Sequence, residues 1–284
     1  MLGRDIKVIV VGSVNLDIVA TVDRLPRAGE TVTGGSLARY PGGKGANQAL
    51  AARRLGASVQ LVACTGDDSA ADEALQLLRE GGVDLSLSIR DPGSATGVAL
   101  ISVAKSGENQ IVVAPGANRS LKPQHLKLPD ADALICQLEV PPETLCHAAR
   151  KFHGFFCINL APAQNVPREL IERADLIVMN ETEAAWYGSA VDHCRGLVVI
   201  TRGEHAAVIL KDGLVIAEAK PPAVHAVDTV GAGDCFTAAL TLSLVEGRTP
   251  ADALGFACAA GAAATTMRGA QPSMPDRATV ERLL

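Results

Sequence analysis

Two aspartates bracket a run of small residues in Asp228-Thr229-Val230-Gly231-Ala232-Gly233-Asp234, immediately before the apolar stretch Cys235 to Val245. Two glycines and an alanine let the chain turn sharply and leave its N–H groups uncovered at what reads as a helix start. Amides at the positive end of a helix dipole form a pocket for a phosphate or a developing anion. A carboxylate fixed on the first turn, Asp234, would sit beside that anion as a general base. The same residues also fit a plain helix entry whose acidic side chain favours the dipole.

Further polar groups fall where strands end, the place open α/β sheets present ligands. Gly12-Ser13-Val14-Asn15-Leu16-Asp17 follows the β-branched run Lys7 to Val11. It lacks the dinucleotide pattern G-x-G-x-x-G, and Asn15 and Asp17 suit either the hydroxyls of a polyol or an Asx turn. Pro41-Gly42-Gly43-Lys44-Gly45-Ala46-Asn47-Gln48 opens a helix ending near Leu55. It is no P-loop, because G-x-x-x-x-G-K-[ST] is absent, but its glycines permit close backbone approach to a ligand and Asn47 projects from the first turn. Glu139 ends the strand Ala133 to Leu138, and Asn180 and Glu183 follow the strand Asp175 to Met179. Either glutamate could instead cap a helix.

The elements that must position these groups alternate from Ala133 onward. Helices Pro142 to Lys151 and Val166 to Arg173 separate the strands starting at Ala133, Phe155 and Asp175, the signature of a parallel sheet with crossover helices. Leu197 to Ile200 is a further strand, ending at Thr201-Arg202-Gly203, and Ala206 to Leu210 with Leu214 to Ala217 reads as a hairpin. Upstream, Ile18 to Val22 and Glu30 to Tyr40, then Thr96 to Val103 and Asn109 to Ala114, read as exposed strands forming a small second sheet. Val59 to Ala63 is a buried strand and Ser69 to Arg79 a helix. Helices Pro250 to Thr265 and Asp276 to Leu284 flank a loop over 268–275.

Bulk properties bound the function. A 284-residue chain buries a full core, and its net charge of -5 offers no basic field for nucleic acid or an anionic membrane. Seven cysteines without a C-x-x-C pair fit reduced thiols in the cytosol, and six dispersed histidines argue against a zinc site. Arg4, Lys7 and the apolar Ile6 to Val14 imitate a secretion signal, but Asn15 and Asp17 interrupt it. The run Ala257 to Thr265 is too short to span a bilayer. The chain reads as cytoplasmic.

Taken together, these motifs resemble the ribokinase branch of the PfkB sugar-kinase family. The matching segments are Gly12-Ser13-x-Asn15-x-Asp17, Gly42 to Ala49, Ala63 to Asp68, Thr96 to Ile101, Gln137-Leu138-Glu139, Asn180 to Ala184, Asp228 to Asp234 and Gly269 to Ser273, in the family's order. The resemblance implies a single three-layer α/β/α domain over residues 1–284, its sheet mostly parallel and doubly wound. A discontinuous β-sheet lid at about 15–42 and 95–116 would close over the sugar and make a homodimer contact. The implied activity is ATP-dependent phosphorylation of O5 of D-ribose, with another small polyol or a nucleoside as the alternative acceptor and a catalytically silent sugar sensor as the alternative role.

In that scheme Asp234 takes the hydroxyl proton, and the amides of Gly231, Ala232 and Gly233 stabilise the transferring phosphoryl. Asn15, Asp17, Gly43, Lys44, Asn47 and Glu139 hold the sugar. Asn180 and Glu183 order Mg²⁺ and phosphate, and Thr201, Gly203 and Gly233 contact the nucleotide. K⁺ would be held by Asp228, Ala264, Gly269 and Ser273 with the carbonyls of Val230 and Met267. The chain departs from the family in Ala206 within the nucleotide loop, Cys258 near the adenine, Leu160 for a proline, and a segment 180–201 shortened by roughly one helix, which still leaves enough residues for one crossover.

Overall fold

The computed structural model describes residues 5–284; Arg4 lies outside them. In β1 (Lys7–Val11), Val8 and Val10 enter one apolar layer while Ile9 and Val11 enter the other, the mark of a strand covered on both faces. The chain then forms β2 (Asn15–Val22) and, antiparallel to it, β3 (Ser36–Gly42). The stretch from 30 to 35, expected to be extended, is instead exposed turn and coil, following a loop that Arg24 closes onto Glu30. Helix α1 (Lys44–Arg54) buries its alanine-rich first turns, and β4 (Ser58–Val62) returns parallel to β1.

Next come β5 (Cys64–Gly66), α2 (Ser69–Ala74), α3 (Gln76–Glu80) and β6 (Ile89–Asp91). The helix expected over Ser69 to Arg79 is divided at Leu75, whose ψ of -4 departs from helical geometry although its N–H still reaches Ala71. β5 and β6 pair as a two-stranded sheet that periodicity did not reveal, because each is only three residues long. β7 (Gly97–Ala104) and β8 (Asn109–Ala114) make an antiparallel hairpin.

The alternating half follows: β9 (Ala133–Gln137), α4 (Pro142–Lys151), β10 (Phe155–Asn159), α5 (Arg168–Arg173), β11 (Leu176–Asn180), α6 (Glu181–Tyr187) and β12 (Leu197–Arg202). The shortened connection suffices: α6 and a 3₁₀ turn carry β11 to β12 in parallel register. The hairpin of β13 (His205–Lys211) and β14 (Leu214–Ala219) precedes α7 (Ala232–Val245) and α8 (Pro250–Ala263). Within the expected loop 268–275 lies a short helix, α9 (Ala270–Ser273), and α10 (Arg277–Glu281) ends the chain.

The main sheet has the order β14-β13-β12-β11-β10-β9-β1-β4. It is parallel from β4 to β12; β13 then runs antiparallel to β12, and the edge strand β14 antiparallel to β13. Residues of α1, α7 and α8 share one core layer, and those of α4 and α5 the other, giving the expected three layers. Because β1 lies between β4 and β9, the winding reverses there, and the ends of β1 and β9 mark the switch point at which such sheets form their ligand crevice. The second sheet has the order β3-β2-β7-β8, with β2 and β7 parallel. No helix among the described residues is long and apolar enough to cross a membrane.

Candidate active site

Helix α7 begins at Gly231, whose φ of +83 is open to glycine and strained for other residues. Asp234 follows in the first turn, with only 6% of its surface exposed. Its two oxygens are held separately: Oδ2 accepts from Asn47 Nδ2 at 2.8 Å, and Oδ1 from Gln48 Nε2 at 2.9 Å. The amide of Gln48 cannot turn over freely, because its Oε1 accepts from Gln137 Nε2 at 2.6 Å while its Nε2 also faces Asn159 Oδ1 at 3.2 Å. Asn159 is fixed in turn by donating to the carbonyl of Val178 at 3.0 Å. A chain of neutral amides from β9 and β10, passing through α1, therefore aims one carboxylate.

Burial raises the Asp234 pKa, and Lys44 with the two amide donors pulls it back. The position a Cβ would take on Gly233, one residue before the carboxylate, has nothing within 4 Å, so the outer side of this turn is open. Of the three amides expected to be uncovered, that of Ala232 makes a long bond of 3.3 Å to Thr229 O.

The crevice gathers the residues predicted to bind a polyol. Glu139 Oε2 accepts the Lys44 N–H at 3.1 Å and the Ser13 hydroxyl. Asn15 Oδ1 accepts from Asn118 Nδ2 at 2.8 Å, and Asn118 also bonds both backbone groups of Val14. Gly43 brings its backbone so close that a Cβ would lie 2.7 Å from Asn15 N. Asp17 is buried, and its pKa is pushed up to about 7 by burial, then by Glu139, Asp234 and Asp228, against the pull of Lys44. For Lys44, burial favours the neutral amine, but Asp234, Glu139, Glu183 and Asp17 outweigh it and raise the pKa. Asn47 Oδ1 is buried without a partner, an acceptor suited to a hydroxyl donor.

At the ends of β11 and β12 the picture is mixed. Asn180 and Glu183 form a reciprocal capping box, each side chain accepting the other's N–H at 2.8 Å. The capping alternative is thus realised. Even so, burial raises the Glu183 pKa while Lys44 lowers it and Asp234 raises it, so the carboxylate shares the field of the crevice. Thr201 is half-buried and Gly203 exposed at the end of β12. Cys258, placed near the adenine by sequence, is a core thiol donating to Ala219 O at 3.5 Å.

The residues predicted to hold a monovalent cation converge only in part. Asp228 accepts the N–H of Val230 at 3.0 Å on one oxygen and of Gly269 at 2.9 Å on the other, which ties the α7 entry to the start of α9. Ser273 donates its hydroxyl proton to Ala270 O at 2.8 Å, and Ala264 is buried at the end of α8. Met267 stands 55% exposed on the rim. Gln48, Ser13 and Asn118 had no role assigned from sequence. For Gln48 the one available signal is adjacency to Asn47, and it becomes readable only once α1 and α7 are known to pack together.

Known proteins share this fold. The chain matches the pfkB family carbohydrate kinase over residues 5–277. It is 36% identical over 293 residues to the ribokinase of Haemophilus influenzae, a match covering 94% of this chain and 95% of that protein. The crystal structure of the ribokinase of Thermotoga maritima superposes with a TM-score of 0.88 at 33% identity, covering 98% of this chain and 99% of that one. The structure of Arabidopsis thaliana ribokinase complexed with ribose and ATP superposes with a TM-score of 0.86 at 30% identity, covering 99% of both chains. A buried carboxylate at the start of α7, at the reversal of a doubly wound sheet, is thus set in a chain that belongs to the pfkB family of carbohydrate kinases.

Proposed function

We propose that this carbohydrate kinase transfers the γ-phosphoryl of ATP to O5 of D-ribose, giving D-ribose 5-phosphate. The observation that carries the reaction is the buried, doubly held carboxylate of Asp234 beside the open side of Gly233. Asp234 takes the proton of the sugar hydroxyl as that oxygen attacks phosphorus. The amides at the start of α7, from Gly231 to Gly233, take up charge on the transferring group, so positioning and electrostatics supply most of the catalysis. Asn15, Asp17, Gly43, Lys44, Asn47 and Glu139 hold the sugar. Their carboxylates outnumber the single ammonium of Lys44, a balance that favours a neutral sugar over a sugar phosphate. Turnover in a coupled ADP assay across pentoses, hexoses and nucleosides tests the assignment. D-ribose should give the highest kcat/KM, and a nucleoside in first place would favour the alternative acceptor.

The acidic crevice must receive an anionic triphosphate, so a divalent cation is needed with it. Among the described residues no cluster of three His, Cys, Asp or Glu side chains is disposed to hold a metal. The site therefore suits Mg²⁺ carried by ATP and ordered through water by Asn180 and Glu183, with Thr201, Gly203 and Gly233 against the nucleotide. Asp228, Ser273, Ala264 and Gly269 with the carbonyls of Val230 and Met267 would offer oxygen ligands of the kind K⁺ takes, and a bound ion would stiffen the loop carrying the amide cup. Turnover should rise severalfold with K⁺ over Na⁺ at equal ionic strength; indifference to the ion would count against those ligands.

The protein works as one domain, in the cytoplasm, where its unpaired thiols stay reduced. Its smaller sheet acts as a lid on the sugar, and the exposed Leu37, Leu100, Ile111, Val112 and Val113 of that sheet support a homodimer through it.

Asp17 gives the sugar site a pH signature. With a folded pKa of about 7 against 3.8 for the free group, Asp17 holds a proton in the folded state that the unfolded chain has lost. Between those values the folded state binds more protons, so the stability of the sugar-free protein should fall as pH rises through that window. Sugar hydroxyls donate to the ionised form, so ribose should bind more weakly below pH 7. Calorimetry from pH 5.5 to 8.5 on the wild type and Asp17→Asn tests this, and a wild-type profile as flat as that of the variant would contradict it.

A further inference from the structure

Helix α1 does more than present Asn47 and Gln48 to Asp234. From its last residue, Arg54 reaches the segment that backs the amide cup: Nη1 donates to the carbonyls of Gln271 at 3.0 Å, Pro272 at 3.4 Å and Met274 at 2.6 Å. Among the described residues no carboxylate lies within ion-pair distance of this guanidinium. A half-buried cation bonded only to neutral carbonyls, with Asp276 acting on it from beyond ion-pair distance, gives up solvation for little counter-charge in return, while its planar fork fixes the direction of what it holds. The neighbouring Arg53 makes a useful contrast, since it turns the other way to the carbonyls of Gly82 and Ala57.

What Arg54 holds stands directly against Gly231. A Cβ built on Gly231 would lie 2.8 Å from Ala270 Cβ and 3.1 Å from Met274 Cε, so the two residues form the wall on which the turn into α7 rests. The same segment touches the sugar side, where Gln271 Nε2 points to Gly42 O at 3.5 Å and a Cβ on Gly269 would meet the Tyr40 ring at 2.5 Å. Its first N–H, on Gly269, is held by Asp228, which also holds Val230. A shift of α9 by a fraction of an ångström would therefore be felt at the Gly231 turn from two directions.

We propose that Arg54 is a positioning residue for phosphoryl transfer: by clamping the carbonyls of Gln271, Pro272 and Met274, it fixes the wall that sets the Gly231 amide cup. This rests on the reading of that cup as the phosphoryl site. The role is transmitted through packing, so it should separate turnover from sugar affinity.

The test pairs steady-state kinetics with ribose calorimetry on Arg54→Met, Arg54→Lys and the control Arg53→Met. Arg54→Met should lower kcat by about tenfold or more while the ribose Kd stays within about twofold, and raise the K⁺ concentration for half activation. Arg54→Lys, which keeps a donor, should recover part of kcat, and Arg53→Met should turn over as the wild type does. An Arg54→Met protein that binds ribose normally with kcat within about threefold of wild type overturns the proposal, as does a loss of ribose affinity as large as the loss of kcat. Should Arg54→Met fail to fold, Arg54→Gln is judged by the same two criteria. A wild-type protein with no ribose-dependent turnover would strike the assigned reaction instead, before any variant is compared.

Discussion

Asp234→Asn should lower kcat by roughly two to four orders of magnitude while ribose affinity stays within a few-fold of wild type. The substitution keeps the shape of the side chain and one acceptor oxygen for the amides of Asn47 and Gln48. Its new NH₂ group takes the place of Oδ2 opposite Asn47, and once the Asn47 amide turns over it donates to Asn47 Oδ1, which in the wild type is buried without a partner. The variant also removes a carboxylate whose burial is unfavourable, so its melting temperature should equal or exceed that of the wild type. What it loses is the ability to accept a proton. Single-turnover phosphorylation beside ribose calorimetry reads both quantities, and near-normal turnover would remove Asp234 from its role as base.

Gly231→Val should be nearly as damaging, for a reason of backbone rather than side chain. At φ +83 a β-branched residue carries strain of about 1–3 kcal/mol, and its Cβ would fall 2.8 Å from Ala270 Cβ. The turn must rotate away to relieve both, taking the amides out of register with the phosphoryl group. Loss of such donors costs about 10²–10³ in kcat. Gly233→Ala is the informative companion, because a Cβ there meets nothing in the protein. It should fold as the wild type does and show its defect in the KM for ATP. If Gly231→Val turned over normally, the cup would not be where charge develops.

The sequence made the frame legible where one cause dominated. Lys7–Val11 and Pro142–Lys151 appear with the expected bounds, because one is a β-branched run covered on both faces and the other an amphipathic helix opened by proline. Asp234 could be singled out because glycines and a helix start lie beside it. The missed features depend on partners distant in sequence. Gln48 matters because Gln137 and Asn159 hold it from neighbouring strands, and no local pattern announces that. The position of α9 depends on Asp228 and Arg54, far upstream, so a Gly-Ala-Gln-Pro-Ser stretch reads as loop when taken alone. Glu183 shares the field of Lys44 and Asp234, but its capping bond to Asn180 is a local preference competing with a ligand role, and spacing could not rank the two.

The free thiols are divided between the layers: Cys157, Cys235 and Cys258 lie on the side of α1 and α7, and Cys64, Cys136, Cys146 and Cys194 on the side of α4 and α5. Burial raises the pKa of every one of them, so a thiol reagent meets almost no thiolate in the native protein. Labelling must therefore wait for the molecule to open. Modification rates resolved by position would show whether the halves on either side of the sheet breathe as one unit or separately, without introducing any extrinsic probe.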